Sequence, residues 1–448
     1  MEQLISFLET KGLHYATPTS SDYGDLRPTF IVRDETVPAV IVRPRSMEEA
    51  ASLVSCLVKT RIPFSVRGGG HDMFGRSQVD NAVTIDMRDI AHVEVNADSQ
   101  TARVGGGVIS MDLLTKLQQH GLTVSHPATP TVGFVGWAIH GGYGLLSTHY
   151  GLGIDQIVGA KIVDAQGHLR EADEAILTAI RGAGGVVGVI VELTIKVYPT
   201  GQILAGMVFY ESSDLPTTIQ RYGENYQKAA EEGIPSALSI ERFVINGPTG
   251  KTFMIFFVWS SDKMEEGQAW LSKVSSWTPV AMSTVTPTTI ADFNEGAKSI
   301  VPNSAYGRIF SLTVKRLTPE VLDVIGQHAP RQPMNPEILF GIHEVRAECP
   351  IAEPFPCVFN MREPHLVIEI IPVASTAEGV KEVTAWGQAF YDALAKTNPA
   401  NILGRYIPFT PTNEIDLHQV YGDRFDTLRK IKHEYDPENV FKNALVKP

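Results

Sequence analysis

From Pro38 onward the apolar positions follow two alternating rhythms. The run Ala39-Val40-Ile41-Val42 has strand length and reads as buried. Ser46 then stands three residues before Glu49, the spacing of a capping box at a helix start. Met47, Ala50, Val54 and Leu57 recur at helical spacing, and Pro63-Phe64-Ser65-Val66 brings the chain back as a strand. Further strands are expected at Val83-Thr84-Ile85 and Ala102-Arg103-Val104, followed by a helix that Ser110 caps and Gly121 ends. Ile157–Val163 meets the turn Asp164-Ala165-Gln166-Gly167 and starts a hairpin, while Gly188–Val197 is a strand before Pro199. Residues 33–200 thus form one α+β unit behind an N-terminal extension over residues 1–32.

Past Ile203 the rhythm changes. Long strands are expected at Ser236–Ile245, Thr252–Trp259, Arg308–Val314 and Leu366–Ile371, with amphipathic helices near 263–275, 318–328 and 378–396. This pattern predicts a second unit over residues 201–400, a large sheet covered on one face by helices. Residues 401–448 hold one more amphipathic helix, between Tyr421 and Phe441, with Phe425, Leu428 and Ile431 inward and Asp436-Pro437 as its stop.

Composition narrows the partners. A chain of 448 residues exceeds what one core usually organises, so two or three domains are expected. A hydrophobic fraction of 43% with 20% charged residues excludes wholesale disorder. The net charge of −12 argues against nucleic acid or an anionic membrane surface and suits a small, neutral or cationic substrate. The longest strongly apolar run, Phe253–Trp259, is too short to span a bilayer. The segment from Met1 to Glu9 has no basic stretch of the signal-peptide kind, and Cys56, Cys349 and Cys357 are few and odd in number. A cytoplasmic location is therefore expected. The 13 histidines include no HExxH pattern or Cys/His cluster, so no metal is expected.

Chemistry concentrates in one loop. Arg67-Gly68-Gly69-Gly70-His71-Asp72 closes the strand at Val66, and Pro130-Thr131-Val132-Gly133 follows about sixty residues later. Three consecutive glycines let backbone approach a diphosphate closely, because no Cβ stands in the way and positive φ is open. Alone, such a run is a tight turn; with the downstream segment it reads as a flavin loop whose histidine reaches the ring. A Rossmann site is excluded, since neither Gly105-Gly106-Gly107 nor Gly182-Ala183-Gly184-Gly185 has GxGxxG spacing, and no GxxxxGK[ST] loop occurs.

Four segments, in order and spacing, carry a family resemblance: Arg67 to Asp72; Pro130 to Gly133 leading to Gly141-Gly142-Tyr143-Gly144; Ala179 to Gly185; and Tyr421-Gly422-Asp423 with Tyr435 to Phe441. On these the chain resembles the berberine-bridge-enzyme-like branch of the vanillyl-alcohol oxidase flavoproteins. The resemblance implies a p-cresol-methylhydroxylase-type FAD domain built from both ends of the chain, with the middle as substrate domain. It implies FAD contacts from Arg67, Gly68, Gly69, Gly70, His71, Asp72, Thr129, Pro130, Thr131, Val132, Gly133, Gly136, Trp137, His140, Gly141, Gly142, Gly144 and Ile190. Three departures stand out. The family's flavin-tethering cysteine is Thr129 here, so at most one covalent link, through His71, is available. Trp137-Ala138-Ile139-His140 replaces a glycine run, and the family's Tyr-x-Asn appears as Tyr406-Ile407-Pro408. Arg181 is expected to hold the glycine turn that follows it.

A catalytic base must face the flavin from the substrate domain. Glu369 lies inside the apolar strand Leu366–Ile371, where burial makes a carboxylate a better proton acceptor. The plainer reading is a structural Glu paired with an arginine such as Arg362. His343, Glu344, Tyr406 and Tyr306 are the alternatives. The expected activity is hydride abstraction from an alcohol, amine or activated C–H in specialised metabolism, with molecular oxygen as one acceptor. A redox-neutral cyclase with FAD as structure, or a flavin binder without turnover, are the rival readings. Phe134, directly after Gly133, is a candidate gate that slows oxygen if its ring faces the flavin.

Overall fold

The computed structural model describes residues 1–96, 98–247, 250–298, 302, 304–335, 337–346 and 355–445; Cys349 lies outside them. Two small sheets come first. Val40–Arg43, Val83–Asp86 and Phe64–Arg67 pair in parallel, with His14–Ala16 antiparallel at the edge. The helix Met47–Thr60 crosses between them, and Ser46 Oγ accepts from the Glu49 N–H as the sequence implied. An antiparallel sheet follows in the order Val93–Asn96, Thr101–Gly105, Val189–Lys196, Ile157–Val163, Leu169–Glu171. One expected cap does not form: Ser110 is the first residue of the helix Ser110–Gln118, and its hydroxyl donates to the Val132 carbonyl at 2.8 Å. That bond ties the helix to the Pro130–Gly133 segment instead.

Among the described residues the larger sheet has nine antiparallel strands, all between Ile203 and Gly404. Its central strands are Gly250–Trp259, Leu238–Gly247, Leu339–Val345, His365–Ile371 and Phe310–Val314, in that order. Side chains alternate between faces along each strand. Ile240, Val244, Ile255, Phe257, Phe340 and Ile368 pack under the helices Leu215–Glu232, Pro319–His328 and Val380–Ala395. The first of these helices escaped the sequence reading, although Asp214 caps it and Leu215, Thr218, Ile219, Tyr222, Tyr226 and Ala229 sit at helical spacing. Phe243, Met254 and Phe256 face the other way, against Leu145, Leu146 and Phe293. The closing helix Phe425–Tyr435 buries Phe425, Leu428 and Ile431 in one core with Ile176, Ile180 and Leu193, so the end of the chain packs on the glycine-loop half.

Candidate active site

The strand Phe64–Arg67 delivers the glycine loop to one wall of a cavity of about 370 Å³. Here the loop crosses Val132-Gly133 with almost no gap: a Cβ on Gly69 would sit 2.2 Å from the Gly133 nitrogen. Only glycine fits on either side of that crossing. His71 leaves the loop stacked on Phe30, with ring centroids 4.7 Å apart, and its Nε2 lies 3.0 Å from Thr131 Oγ1. No described residue bonds Nδ1. Burial pushes the His71 imidazole down to about 4, so the ring is neutral and nucleophilic at physiological pH.

Asp72 pairs with Arg76 at 3.0 Å, and the Arg76 guanidinium donates to the carbonyls of Ile407 and Pro408, each at 3.2 Å. The proline that displaced the family's asparagine therefore serves through its backbone. His140 holds the Gly136 carbonyl at 3.0 Å through Nδ1 and packs on Gly184; burial lowers it to about 4. Trp137 donates from Nε1 to the Tyr143 carbonyl at 2.9 Å, bracing the turn that carries Tyr143.

Of the residues expected at the cofactor, Gly68, Gly69, Gly70, His71, Asp72, Thr129, Val132, Gly133, Gly136, Trp137, His140 and Ile190 line the cavity. Arg67, Pro130, Thr131, Gly141, Gly142 and Gly144 do not. Arg67 is fully buried behind the loop, on Asp86 at 2.8 Å and Gln78 at 2.9 Å. The Pro130 carbonyl accepts from Met111, Thr131 acts through His71, and the Gly141 carbonyl accepts from Ile154. The Gly142 N–H donates to Tyr406, and Gly144 lies against the His126 carbonyl. Arg181 is buried and structural, but its guanidinium holds the carbonyls of Ile157 and Pro356 rather than the glycine turn that follows it. Phe134 does not line the cavity: it is fully buried, 5.6 Å from the Trp137 ring in the core beneath, while Val132 and Val135 line the cavity there. Sequence reading missed Met73, Arg76, Gly106, Phe441 and Asn443, which reach the cavity from loops whose approach no local pattern reports.

The opposite wall is the large sheet. Its face carries Phe243, Ile245, Met254, Phe256 and Leu339 as an apolar floor, and His343 and Glu369 beside one another. His343 Nε2 is 3.4 Å from Glu369 Oε1, and Nδ1 is 3.2 Å from Glu241 Oε1. The Tyr143 hydroxyl donates to the same Glu369 Oε1. Burial alone would lower the His343 imidazolium, but the carboxylates of Glu369 and Glu241 outweigh it and push it up to about 10. The two carboxylates thus favour the protonated form of His343. Burial also raises the Tyr406 phenol, and burial with the Glu369 charge raises Tyr143, so neither tyrosine ionises at neutral pH; Tyr143 donates to Glu369, while the Tyr406 hydroxyl accepts from the Gly142 N–H. Tyr143 was visible as a motif residue without an assigned task.

The remaining expectations resolve by strand alternation. Glu344 points to the helix side, bonded to Arg242, Arg346, Tyr226 and the Ile240 N–H. Tyr306 pairs with Ala374 away from the cavity lining. Arg362 meets Asp155 at 2.6 Å rather than Glu369.

Glycine crossing, apolar walls, a free histidine nitrogen and an acidic pole opposite fit FAD and define a flavin-dependent oxidoreductase. Comparison with known proteins agrees. A family profile for the FAD binding domain matches residues 38–173, and one for berberine and berberine-like proteins matches residues 412–445. The FAD-linked oxidoreductase aurO of Gibberella zeae is 30% identical over 439 residues, covering 95% of this chain and 84% of that protein. BBE-like 1 of Physcomitrella patens superposes with a TM-score of 0.84 at 19% identity, with 99% of each chain covered. For 6-hydroxy-D-nicotine oxidase from Arthrobacter nicotinovorans the TM-score is 0.84 at 19% identity, over 97% of this chain and 98% of that one. The chain belongs to the berberine-bridge-enzyme-like FAD-linked oxidoreductases and is an FAD-dependent enzyme. Among its described residues no helix is long and apolar enough to cross a membrane.

Proposed function

We propose that this enzyme oxidises a small or medium, largely apolar organic substrate at an alcohol, amine or activated C–H, with Glu369 as the proton acceptor. FAD, when bound, supplies the two-electron acceptor. The observation that carries the reading is the Tyr143–Glu369–His343 cluster, buried on the sheet face across the cavity from the glycine loop. Glu369 Oε1 is engaged by His343 and Tyr143, which leaves Oε2 for the substrate proton. The aromatic and aliphatic floor excludes water and receives the apolar body, and the acid cluster favours a neutral or cationic group.

Flavin attachment forms part of the proposal: a single covalent link at His71, whose Nδ1 is free while Nε2 meets Thr131. Acid denaturation should leave the yellow colour with the protein, and a His71→Ala variant should release it. Molecular oxygen is the proposed acceptor, since Phe134 lies in the core. A Phe134→Val variant should reoxidise at the wild-type rate in stopped flow. Anaerobic mixing with a panel of aryl-alkyl amines and alcohols tests the reaction itself. Bleaching of the flavin band supports hydride abstraction; product formed without bleaching would mark the redox-neutral cyclisation instead.

A further inference from the structure

We infer that Glu241, which does not line the cavity, is a positioning residue for the proposed reaction: it holds the His343 ring between two carboxylates, where the ring in turn fixes Glu369 as proton acceptor. The inference rests on the proposed role of Glu369. Its basis is a continuous chain of groups across three neighbouring strands. Glu241 on Leu238–Gly247 meets His343 on Leu339–Val345, which meets Glu369 on His365–Ile371, and Tyr143 closes the chain from the other half of the molecule. All four side chains are buried, and Glu241 is 2% exposed.

A carboxylate placed there without a partner would be costly. Glu241 has His343 within ion-pair distance of Oε1, and its Oε2 has no hydrogen-bond partner among the described residues. The groups facing the His343 ring are Glu241, Glu369, the Tyr143 ring at 5.4 Å and the edge of Phe243 at 5.6 Å. No arginine or lysine is among them. The imidazole is therefore the basic group shared by two carboxylates, in ion-pair contact with each, although its Nδ1 makes no hydrogen bond among the described residues. A neutral imidazole could present a lone pair to Glu369, and Oε1 would then keep only the Tyr143 hydroxyl as donor. With the imidazolium paired at Oε1, the substrate's proton has Oε2 to go to, and the imidazolium neither gains nor loses a proton in that step.

The test is the titration of His343 in the holoenzyme, read by NMR of labelled histidine rings and assigned with a His343→Gln variant. In the unaltered protein the ring should stay protonated until the pH approaches about 10. Glu241→Gln keeps the shape and removes one charge, so the midpoint should fall by about one unit or more, a tenfold change in proton affinity. Glu241→Asp should restore most of it. Flavin reduction should then be near wild type at pH 7 in Glu241→Gln and drop about threefold or more at pH 9.5. A His343 midpoint near the ordinary histidine value in the unaltered protein overturns the proposal, whether or not any variant folds. So does a Glu241→Gln midpoint equal to wild type, or a rate lowered equally at every pH, which would mark a merely structural carboxylate. Loss of activity in Glu369→Gln with an unmoved His343 midpoint in Glu241→Gln would sink this inference alone. An unaffected Glu369→Gln would instead remove the reading beneath it.

Discussion

Two ionic clusters sit back to back on the large sheet, built from adjacent residues of the same strands. On the helix side, Glu344 is bonded by Arg242, Arg346, the Tyr226 hydroxyl and the Ile240 N–H. On the cavity side, one residue earlier on each strand, Glu241 and His343 meet Glu369, and carboxylate oxygens remain uncommitted. The first cluster places two donors on each oxygen of its carboxylate and so fills its acceptor sites, which is how a buried charge is made structural. The second keeps acceptor capacity in reserve beside a cavity, which stability alone does not reward. What separates a structural carboxylate from a chemical one here is the number of unfilled lone pairs, not burial.

The contrast can be broken by exchange of effects. Glu369→Gln should slow flavin reduction by about two to four orders of magnitude, the usual worth of a positioned base, with thermal stability nearly unchanged. Stopped-flow reduction and calorimetry on the same sample check it. Glu344→Gln should do the reverse: it leaves the buried Arg242 and the half-buried Arg346 short of their carboxylate and should cost about 3–5 kcal/mol in denaturant unfolding, with flavin reduction near wild type in the folded fraction. Tyr143→Phe removes one donor from Glu369 Oε1 and should slow reduction by about tenfold, the scale of one hydrogen bond to a charged group.

A smaller effect separates the clusters by pH. His343 is raised above its unfolded value of about 6.5, so its contribution to stability is fully present below that pH and is lost as pH climbs through about 10. The alkaline decline in denaturation free energy should therefore be steeper by about one proton in the unaltered protein than in His343→Gln. Glu344→Gln should keep the wild-type slope. An equal slope in all three would mean that the cavity cluster carries no titrating group.

Much of this was readable along the chain. The strand-to-glycine passage at Val66 to Gly70, the helical spacing from Met47 to Leu57 and the inward face of Phe425, Leu428 and Ile431 are local patterns, and the structure has all three. The helix Leu215–Glu232 was hidden because Pro216 and a polar majority mask an apolar stripe that only packing against Val321 and Leu322 makes plain. The role of Arg67 was misjudged for a related reason: its neighbours in sequence are cavity glycines, but its guanidinium follows the strand inward to Asp86.

By itself the sequence determined the elements, the glycine crossing and the absence of a cysteine at Thr129, because period, backbone freedom and side-chain chemistry are properties of single positions or short windows. It also contained Glu369 as a candidate acid in an apolar strand. Only the tertiary structure decided which face of the sheet each acid occupies, since a one-residue step along a strand reverses the direction of the side chain. That step sent Glu344 to the helices, His343 and Glu369 to one pole of the cavity and Glu241 behind them on the same face, and folding placed Tyr143, 226 residues from Glu369 in the chain, on the Glu369 oxygen that His343 meets. Ionisation follows from such distances between strands far apart in sequence, and distances of that kind exist only once the chain has folded.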